Sequence, residues 1–197
     1  MVGLGTSQFL GGKTAEAVNS FLKAVDLDPA FEPAYIFLGE AFSFSGARAG
    51  AVAAKLAYFA RKRPDSFSVQ YYYGAALVKQ MDEDKNISQA QPAKTALERA
   101  AALQPRDARV YYQMGELSRV ERRLPDAVAL YEKAVALDPN FPEPLYRAGQ
   151  AYVRLGRQKE AKEMFARHRE VLAKTQANLE HRTSEIQSFV LKMKGAE

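Results

Sequence analysis

The segment LDPAF at residues 27–31 returns almost unchanged as LDPNF at 137–141, with KRPDS at 62–66 and LQPRD at 103–107 between them. Punctuation repeated at such intervals restricts the fold strongly, because one local unit must be used several times over, each copy leaning on the next. Pro29, Pro64, Pro105 and Pro139 each close an apolar stretch. Proline lacks a backbone donor and its ring clashes with the preceding turn, so each one ends a helix and favours the start of another. Counted from these stops, the chain divides into units 1–31, 32–66, 67–107, 108–141 and 142–174, and residues 175–197 extend the last helix.

The same small residues recur inside the units. Gly5, Gly39, Gly74, Gly115 and Gly149 fall in the middle of each first helix. Glycine there costs about 1 kcal/mol of helix propensity relative to alanine, and a cost met in every unit implies close approach of a neighbouring helix. Ala17, Ala93, Ala127 and Ala161 recur early in the second helix, where they are expected to face that glycine. Ala24, Ala100 and Ala134 recur later, where the next unit would pack. Phe21, Leu97, Tyr131 and Phe165 share one large slot.

These residues carry a resemblance. Pro105 and Pro139 stand 34 residues apart, the period of the tetratricopeptide repeat. The unit at 108–141 resembles that repeat through Tyr111, the Met114-Gly115 pair, Ala127, Tyr131, Ala134 and Pro139. The unit from Pro142 is similar through Leu145, Ala148-Gly149, Tyr152, Gly156, Ala161 and Phe165. The resemblance covers residues 1 to about 174. It implies an all-α, right-handed α-solenoid of antiparallel helix pairs, a superhelix with an extended C-terminal capping helix, that binds a protein or peptide ligand and is not an enzyme.

Some segments depart from the repeat. The second unit is one residue long, so its small slot falls to Ala51 or Val52. The third is longer by seven, and the extra residues near Met81–Gln89, MDEDKNISQ, read as an acidic surface loop that includes the sequon Asn86-Ile87-Ser88. Met1 aligns with the fourth slot of a first helix, so upstream sequence is expected. From Arg157 to Lys194 there is neither glycine nor proline, which allows a last helix of roughly 57 Å at 1.5 Å per residue. Along it Phe165, Leu172, Leu179, Ile186 and Met193 are spaced by seven, but the companion positions His168, Thr175 and Arg182 are polar. A coiled-coil dimer wants both positions apolar. The expectation is therefore a cap lying on its own array, with a homodimer through this helix as the alternative and Phe189-Val190-Leu191 as a docking tip.

Other chemistry finds little support. The absence of cysteine removes disulfides and thiolate sites. Hydrophobic residues at 47% and charged residues at 26% suit a chain with a core. No apolar run approaches the roughly 20 residues that cross a bilayer, so no membrane role is expected, and a soluble, cytoplasmic chain is the working assumption. The net charge of +5 is scattered, the longest basic cluster being Arg61-Lys62-Arg63, which speaks against a nucleic-acid partner. SQFLGGKT at 7–14 is similar to a phosphate-binding loop, but Ser7 stands at the first glycine position. That loop needs a preceding strand, whereas the register places Gly11-Gly12 in a turn between helices with Thr14 capping the second. No cofactor, metal or catalytic set is expected.

The binding face should be the inward side of the first helices. Ile36, Tyr71, Tyr112 and Tyr146 hold one equivalent slot in successive units. Neighbouring inward slots carry Glu40, Phe44, Tyr72, Lys79, Arg109, Glu116, Arg119, Arg147, Gln150 and Arg154. Tyrosine and arginine dominate binding hot spots because they bury large area and keep a polar handle. The chaperone-binding subclass of the resembled family grips a C-terminal carboxylate with lysine and asparagine at two of these slots. Here they hold Ile36 and Glu40, Tyr71 and Ala75, Tyr112 and Glu116, Tyr146 and Gln150, so no chaperone C-terminal carboxylate clamp is expected.

Overall fold

The computed structural model describes residues 1–43 and 49–194, with side chains as far as residue 186. Phe44, and the side chains of Phe189-Val190-Leu191, lie outside the described residues. Among those described the chain is helical without strands. The helices are α1 Val2–Leu10, α2 Thr14–Leu27, α3 Glu32–Ser43, α4 Ala49–Lys62, α5 Phe67–Asp84, α6 Ala90–Leu103, α7 Ala108–Val120, α8 Leu124–Leu137, α9 Pro142–Arg154 and α10 Gln158–Lys194. Each packs chiefly on the helices one and two places along the chain, the nearest-neighbour pattern of an α-solenoid.

The repeated sequences make repeated turns. In LDPAF and LDPNF, Oδ1 of Asp28 and Asp138 accepts from the N–H of Ala30 and Asn140, each at 3.0 Å. The amides of Phe31 and Phe141 then donate to the Asp28 and Asp138 carbonyls, both at 3.2 Å. Aspartate thus closes an Asx turn while proline bars the helix from continuing.

Within units one, four and five, the helices are joined by another shared turn. The amides of Lys13, Arg123 and Arg157 reach back to the carbonyls of Gln8, Ser118 and Tyr152 at 2.8, 2.8 and 2.9 Å. The residue before each donor is left-handed, namely Gly12 (φ 76°), Arg122 (φ 63°) and Gly156 (φ 75°). Arg122 bears a Cβ where the other two units use glycine, and a left-handed L-residue costs roughly 1–2 kcal/mol. Arg122→Gly is expected to stabilise the chain by about 0.5–1 kcal/mol once glycine's greater unfolded-state freedom is subtracted, measurable in urea unfolding. Thr14 departs from its expected role: it opens α2 after the N-cap Lys13, with no side-chain cap bond at that end.

The mid-helix glycines do mark close approach, but the covering residue is the large slot and not the alanine. A Cβ on Gly5, Gly74, Gly115 or Gly149 would lie 2.5–2.7 Å from Phe21, Leu97, Tyr131 or Phe165 respectively. The alanines Ala17, Ala93, Ala127 and Ala161 are buried one turn earlier in the same helices. The second unit breaks the rule, because Gly39 lies beneath Tyr72 of the third unit. Val52, not Ala51, fills the small slot there, and Leu56 is buried beside it.

The insertion in the third unit is only partly a loop. Met81 is buried and Met81–Asp84 continue α5, which ends at the left-handed Lys85. The extra turn brings Glu83 to the start of α4, where its Oε2 accepts from the Ala49 amide at 3.1 Å. A carboxylate there satisfies an orphan donor and opposes the helix dipole. Asn86-Ile87-Ser88 is exposed in the turn that follows.

Another substitution within the repeat explains a buried polar side chain. Tyr35 and Tyr111 send their hydroxyls to the carbonyls of Pro29 and Pro105, at 3.1 and 2.8 Å. The equivalent slot in the third unit is Gln70, fully buried, whose Nε2 donates to the carbonyls of Ala60 at 2.7 Å and Arg63 at 3.2 Å. Gln70→Leu would leave those carbonyls without their side-chain donor, and about 1–3 kcal/mol of destabilisation is expected, read as a lower urea midpoint.

The last helix caps the array over its first turns only. Ala161, Met164 and Val171 are buried in a cluster with Leu145, Ala148 and Tyr152 of α9. Beyond Val171 every described residue to Ile186 is exposed, including Leu172 at 47%, Leu179 at 53% and Ile186 at 63%. The stripe expected to lie on its own array instead projects past it, because α9 is only 13 residues long and offers nothing farther along to pack against.

Candidate functional site: the shared face of the first helices

A hollow of about 340 Å³ opens where α3, α5, α7 and α9 come together, and Tyr71, Lys79, Tyr112, Glu116, Arg119 and Arg147 line it. Spacing at equivalent slots of successive first helices is what brings these residues together. At its floor lies Glu116, only 6% exposed. Its carboxylate accepts from the Tyr131 hydroxyl at 2.5 Å and pairs with Arg119 at 2.9 Å and Arg147 at 3.3 Å. Arg119 also pairs with Asp82 at 3.2 Å, and Arg147 donates to Gln150 at 3.2 Å. A carboxylate this deep needs such partners, since an unpaired buried charge is costly. Three helices and the extra turn of α5 are thereby tied by one charged network.

Electrostatics follow from the packing. Burial pushes the Tyr112 phenol up to about 12, with the Glu116 charge adding to the effect and Arg147 opposing it. Tyr112 therefore presents a neutral hydroxyl at any physiological pH. Burial also works against ionisation of Asp82, but the hydrogen bond and charge of Arg119 outweigh it and hold the carboxyl below its usual range. The stabilisation from a depressed carboxyl is fully present above the unfolded aspartate value near 3.9 and is lost as pH falls through the lower folded value. A carbon-detected titration should accordingly show Asp82 ionised down to below about pH 4, and a midpoint above that would contradict the pairing with Arg119.

A second hollow, of about 410 Å³, adjoins the first and shares Tyr112 and Arg147 with it. Its remaining walls are Pro142, Glu143 and Tyr146 of α9 with His168 and Leu172 of α10. Tyr146 is 43% exposed and its ring lies 5.8 Å from Phe165 and 5.4 Å from His168, centroid to centroid.

The expected groove residues are thus divided. Tyr71, Lys79, Tyr112, Glu116, Arg119 and Arg147 meet in the first hollow and Tyr146 in the second, with Gln150 joined through Arg147. Lys79 stands over the Phe42 ring at 4.4 Å. Arg109 sits at the rim, paired with Asp107 at 2.6 Å and over the Tyr71 ring at 5.2 Å. Tyr72 differs from expectation: it is buried as the packing partner of Gly39. Ile36 packs against the core, Glu40 is half-buried near Tyr72, and Arg154 is exposed at the end of α9. Sequence reasoning misses Asp82, hidden in what reads as a loop, and His168 and Leu172, which read only as parts of a cap.

These features define a class: stacked antiparallel helix pairs whose first helices present one aromatic and charged face. Residues 123–156 match the family model of the TPR repeat. Residues 123–156 therefore carry a tetratricopeptide repeat, and the chain folds as an array of helix pairs of that type.

Solved structures of similar fold include MamA, 25% identical, with 88% of this chain and 96% of that one covered and a TM-score of 0.65. TTC0263, a thermophilic TPR protein of Thermus thermophilus, is 20% identical over 93% of this chain and 95% of that one, with a TM-score of 0.71. YrrB, described as a TPR protein with an unusual peptide-binding site, is 20% identical over 92% of this chain and 90% of that one, with a TM-score of 0.58. No curated protein matches the sequence significantly. Among the described residues no helix is long and apolar enough to cross a membrane.

Proposed function

We propose that the chain holds a segment of a partner protein against the face formed by α5, α7 and α9. The observation that carries this reading is the Glu116 network. A solenoid core needs only apolar packing, yet here a carboxylate 6% exposed is held by Tyr131, Arg119 and Arg147 at the floor of an open hollow. Buried polar networks are justified where specificity matters more than stability. The half-exposed Tyr146 and the partly exposed Tyr112 supply contact area at low entropic cost, whereas Tyr71 is buried. The binding role is that of a scaffold, with no chaperone C-terminal carboxylate clamp among its slots.

Affinity capture with the intact chain, repeated with Tyr112→Ala/Tyr146→Ala and with Tyr58→Ser, tests the reading. Tyr58 is exposed among α2 and α4 residues, away from the proposed face. Partners should be lost from the double variant and kept by Tyr58→Ser. An identical set captured by all three chains would contradict it.

A second reading draws on the projecting part of α10, where Leu172, Leu179 and Ile186 expose a stripe at seven-residue spacing. It would make the chain a self-assembling module. The companion positions His168, Thr175 and Arg182 are polar, where a coiled-coil seam wants both positions apolar, so the scaffold reading is preferred. Light scattering decides: a strict monomer removes the second reading.

A further inference from the structure

Away from the groove, one slot of the repeat has lost its large side chain. The residue three places after the mid-helix glycine is large and buried in units two, three and five, as Phe42, Leu77 and Tyr152. Gln8 holds the slot in unit one, where its Oε1 accepts from the Ser20 hydroxyl at 2.7 Å. Unit four has Ser118 there, buried but small. A hollow of about 340 Å³ opens at this point between α6, α7 and α8. Ser118 and Leu117 lie deep in it, and the exposed Lys94, Arg123 and Asp126 stand around its mouth. It shares no lining residue with either hollow of the groove.

The fifth unit shows what such a space holds. Tyr152 packs in a cluster with Ala148, Ala151 and Met164, and their counterparts 34 residues earlier, Met114, Leu117 and Leu130, line the hollow. The Arg157 guanidinium lies over the Tyr152 ring, 4.5 Å from its centroid, and the ring's hydroxyl donates to Glu132. Arg157 makes this stack while its Nε is paired with Glu160 at 2.8 Å. The fourth unit keeps these surroundings and lacks the ring. Arg123 takes the place of Arg157 at the mouth of the hollow, paired with Asp126 at 2.6 Å where Arg157 has Glu160. Glu98 takes the place of Glu132. Its contact with Lys94 is 3.9 Å, too long for a hydrogen bond, so the exposed Glu98 carboxylate can still accept from a hydroxyl.

We infer that this notch receives a tyrosine side chain of a partner protein, seated as Tyr152 is seated within the fifth unit. Met114 and Leu117 are larger than Ala148 and Ala151, yet the hollow remains. The two cations at its mouth, Lys94 and Arg123, complement the electron-rich face of an aromatic ring. A guanidinium bound edge-on to a carboxylate keeps its face for stacking, as Arg157 does over Tyr152. The Glu98 acceptor distinguishes tyrosine from phenylalanine, since only the phenol donates. An aromatic anchor filling a pocket is a common centre of binding energy in protein interfaces. The notch is a contact point separate from the groove and does not depend on it.

Two probes test the assignment: 4-methylphenol, the side-chain analogue of tyrosine, and a random peptide library displayed on phage. Titrated into the isotope-labelled intact chain, 4-methylphenol should shift the amides of Met114, Leu117, Ser118 and Leu130 with a dissociation constant of about 1 mM, as suits so small a ligand. Arg123→Ala should weaken it by about threefold. Ser118→Tyr fills the notch with the chain's own ring and should abolish the shifts. Ser118→Leu, which introduces the residue of the third unit, should do the same, and circular dichroism melts show that each filled variant is folded. The library, selected against Tyr112→Ala/Tyr146→Ala so that the groove is disabled, should enrich tyrosine-bearing peptides that 4-methylphenol displaces. A synthetic consensus peptide should lose about tenfold in affinity on Tyr→Phe and all binding to the filled variants.

The inference is overturned if 4-methylphenol leaves those amides unmoved, if the peptides bind the filled variants as well as the open notch, or if the Phe peptide binds as tightly as its Tyr parent. Binding of 4-methylphenol with no tyrosine-bearing peptide selected would make the notch a site for a free phenol and would equally overturn the protein partner. Peptides selected by the intact chain but lost on Tyr112→Ala/Tyr146→Ala are groove-selected and bear on the groove alone.

Discussion

Gly115→Leu should destabilise the chain by about 3 kcal/mol, the upper part of the range for overpacking a well-filled core, and lower Tm by roughly 6–12 °C for an array of this size. A Cβ at this position would stand 2.5 Å from the Tyr131 ring. Tyr131 is wholly buried and its hydroxyl is anchored on Glu116, so the ring cannot swing away without leaving a buried carboxylate short of a donor. Gly3, with nothing near its Cβ position, provides the control: Gly3→Ala should be neutral or slightly stabilising through helix propensity. Equal melting of Gly115→Leu and the parent would mean that α7 and α8 do not approach as described.

Tyr131→Ala should cost more, about 3–5 kcal/mol, the range for deleting a buried aromatic side chain, with Tm falling by roughly 6–20 °C. The variant opens a cavity between α7 and α8 and deprives Glu116 of its shortest hydrogen bond. Tyr131→Phe separates the two effects, since it keeps the ring and loses only the hydroxyl. About 1.5–3 kcal/mol is expected for that hydrogen bond to a charged acceptor. The Phe variant should also loosen Arg119 and Arg147, which rest on the same carboxylate, so a ligand lost by the Phe variant at unchanged fold would tie the network to binding. Thermal melts followed by circular dichroism measure both variants.

The legible part of this fold is the part set by local rules. Pro29, Pro139 and their preceding aspartates specify the same Asx turn because backbone geometry alone dictates it. The mid-helix glycines are readable as close approaches, since only a neighbouring helix justifies them. Their partner is not: whether an alanine or the large side chain one turn later covers a glycine depends on the helix crossing, which a one-dimensional pattern does not carry. The second unit shows this most clearly, with Gly39 covered by Tyr72 from the following unit.

The candidate site is readable at slots where repeats align. Tyr71, Tyr112 and Glu116 can be found because equivalent positions in successive first helices share a face. Asp82 escapes because an acidic, polar insertion looks the same in sequence whether it loops out or adds a helical turn. Its signal is Met81, an apolar residue that continues the buried stripe of α5. Tyr72 is misplaced by one slot's worth of rotation, about 100° on a helix, enough to turn an inward residue into a packing one. Leu172 reads as part of a cap because sequence spacing gives no sign that α9 ends where the stripe continues.

Hydrogen exchange of the intact chain with and without a groove-selected peptide tests the central claim most directly. Protection should appear in α5, α7 and α9 and at the start of α10 around His168 and Leu172, while α4, α6 and α8 remain unchanged. Protection confined to those second helices, or to the projecting part of α10 beyond Leu179, would place the binding surface elsewhere and leave the Glu116 network as an element of stability alone.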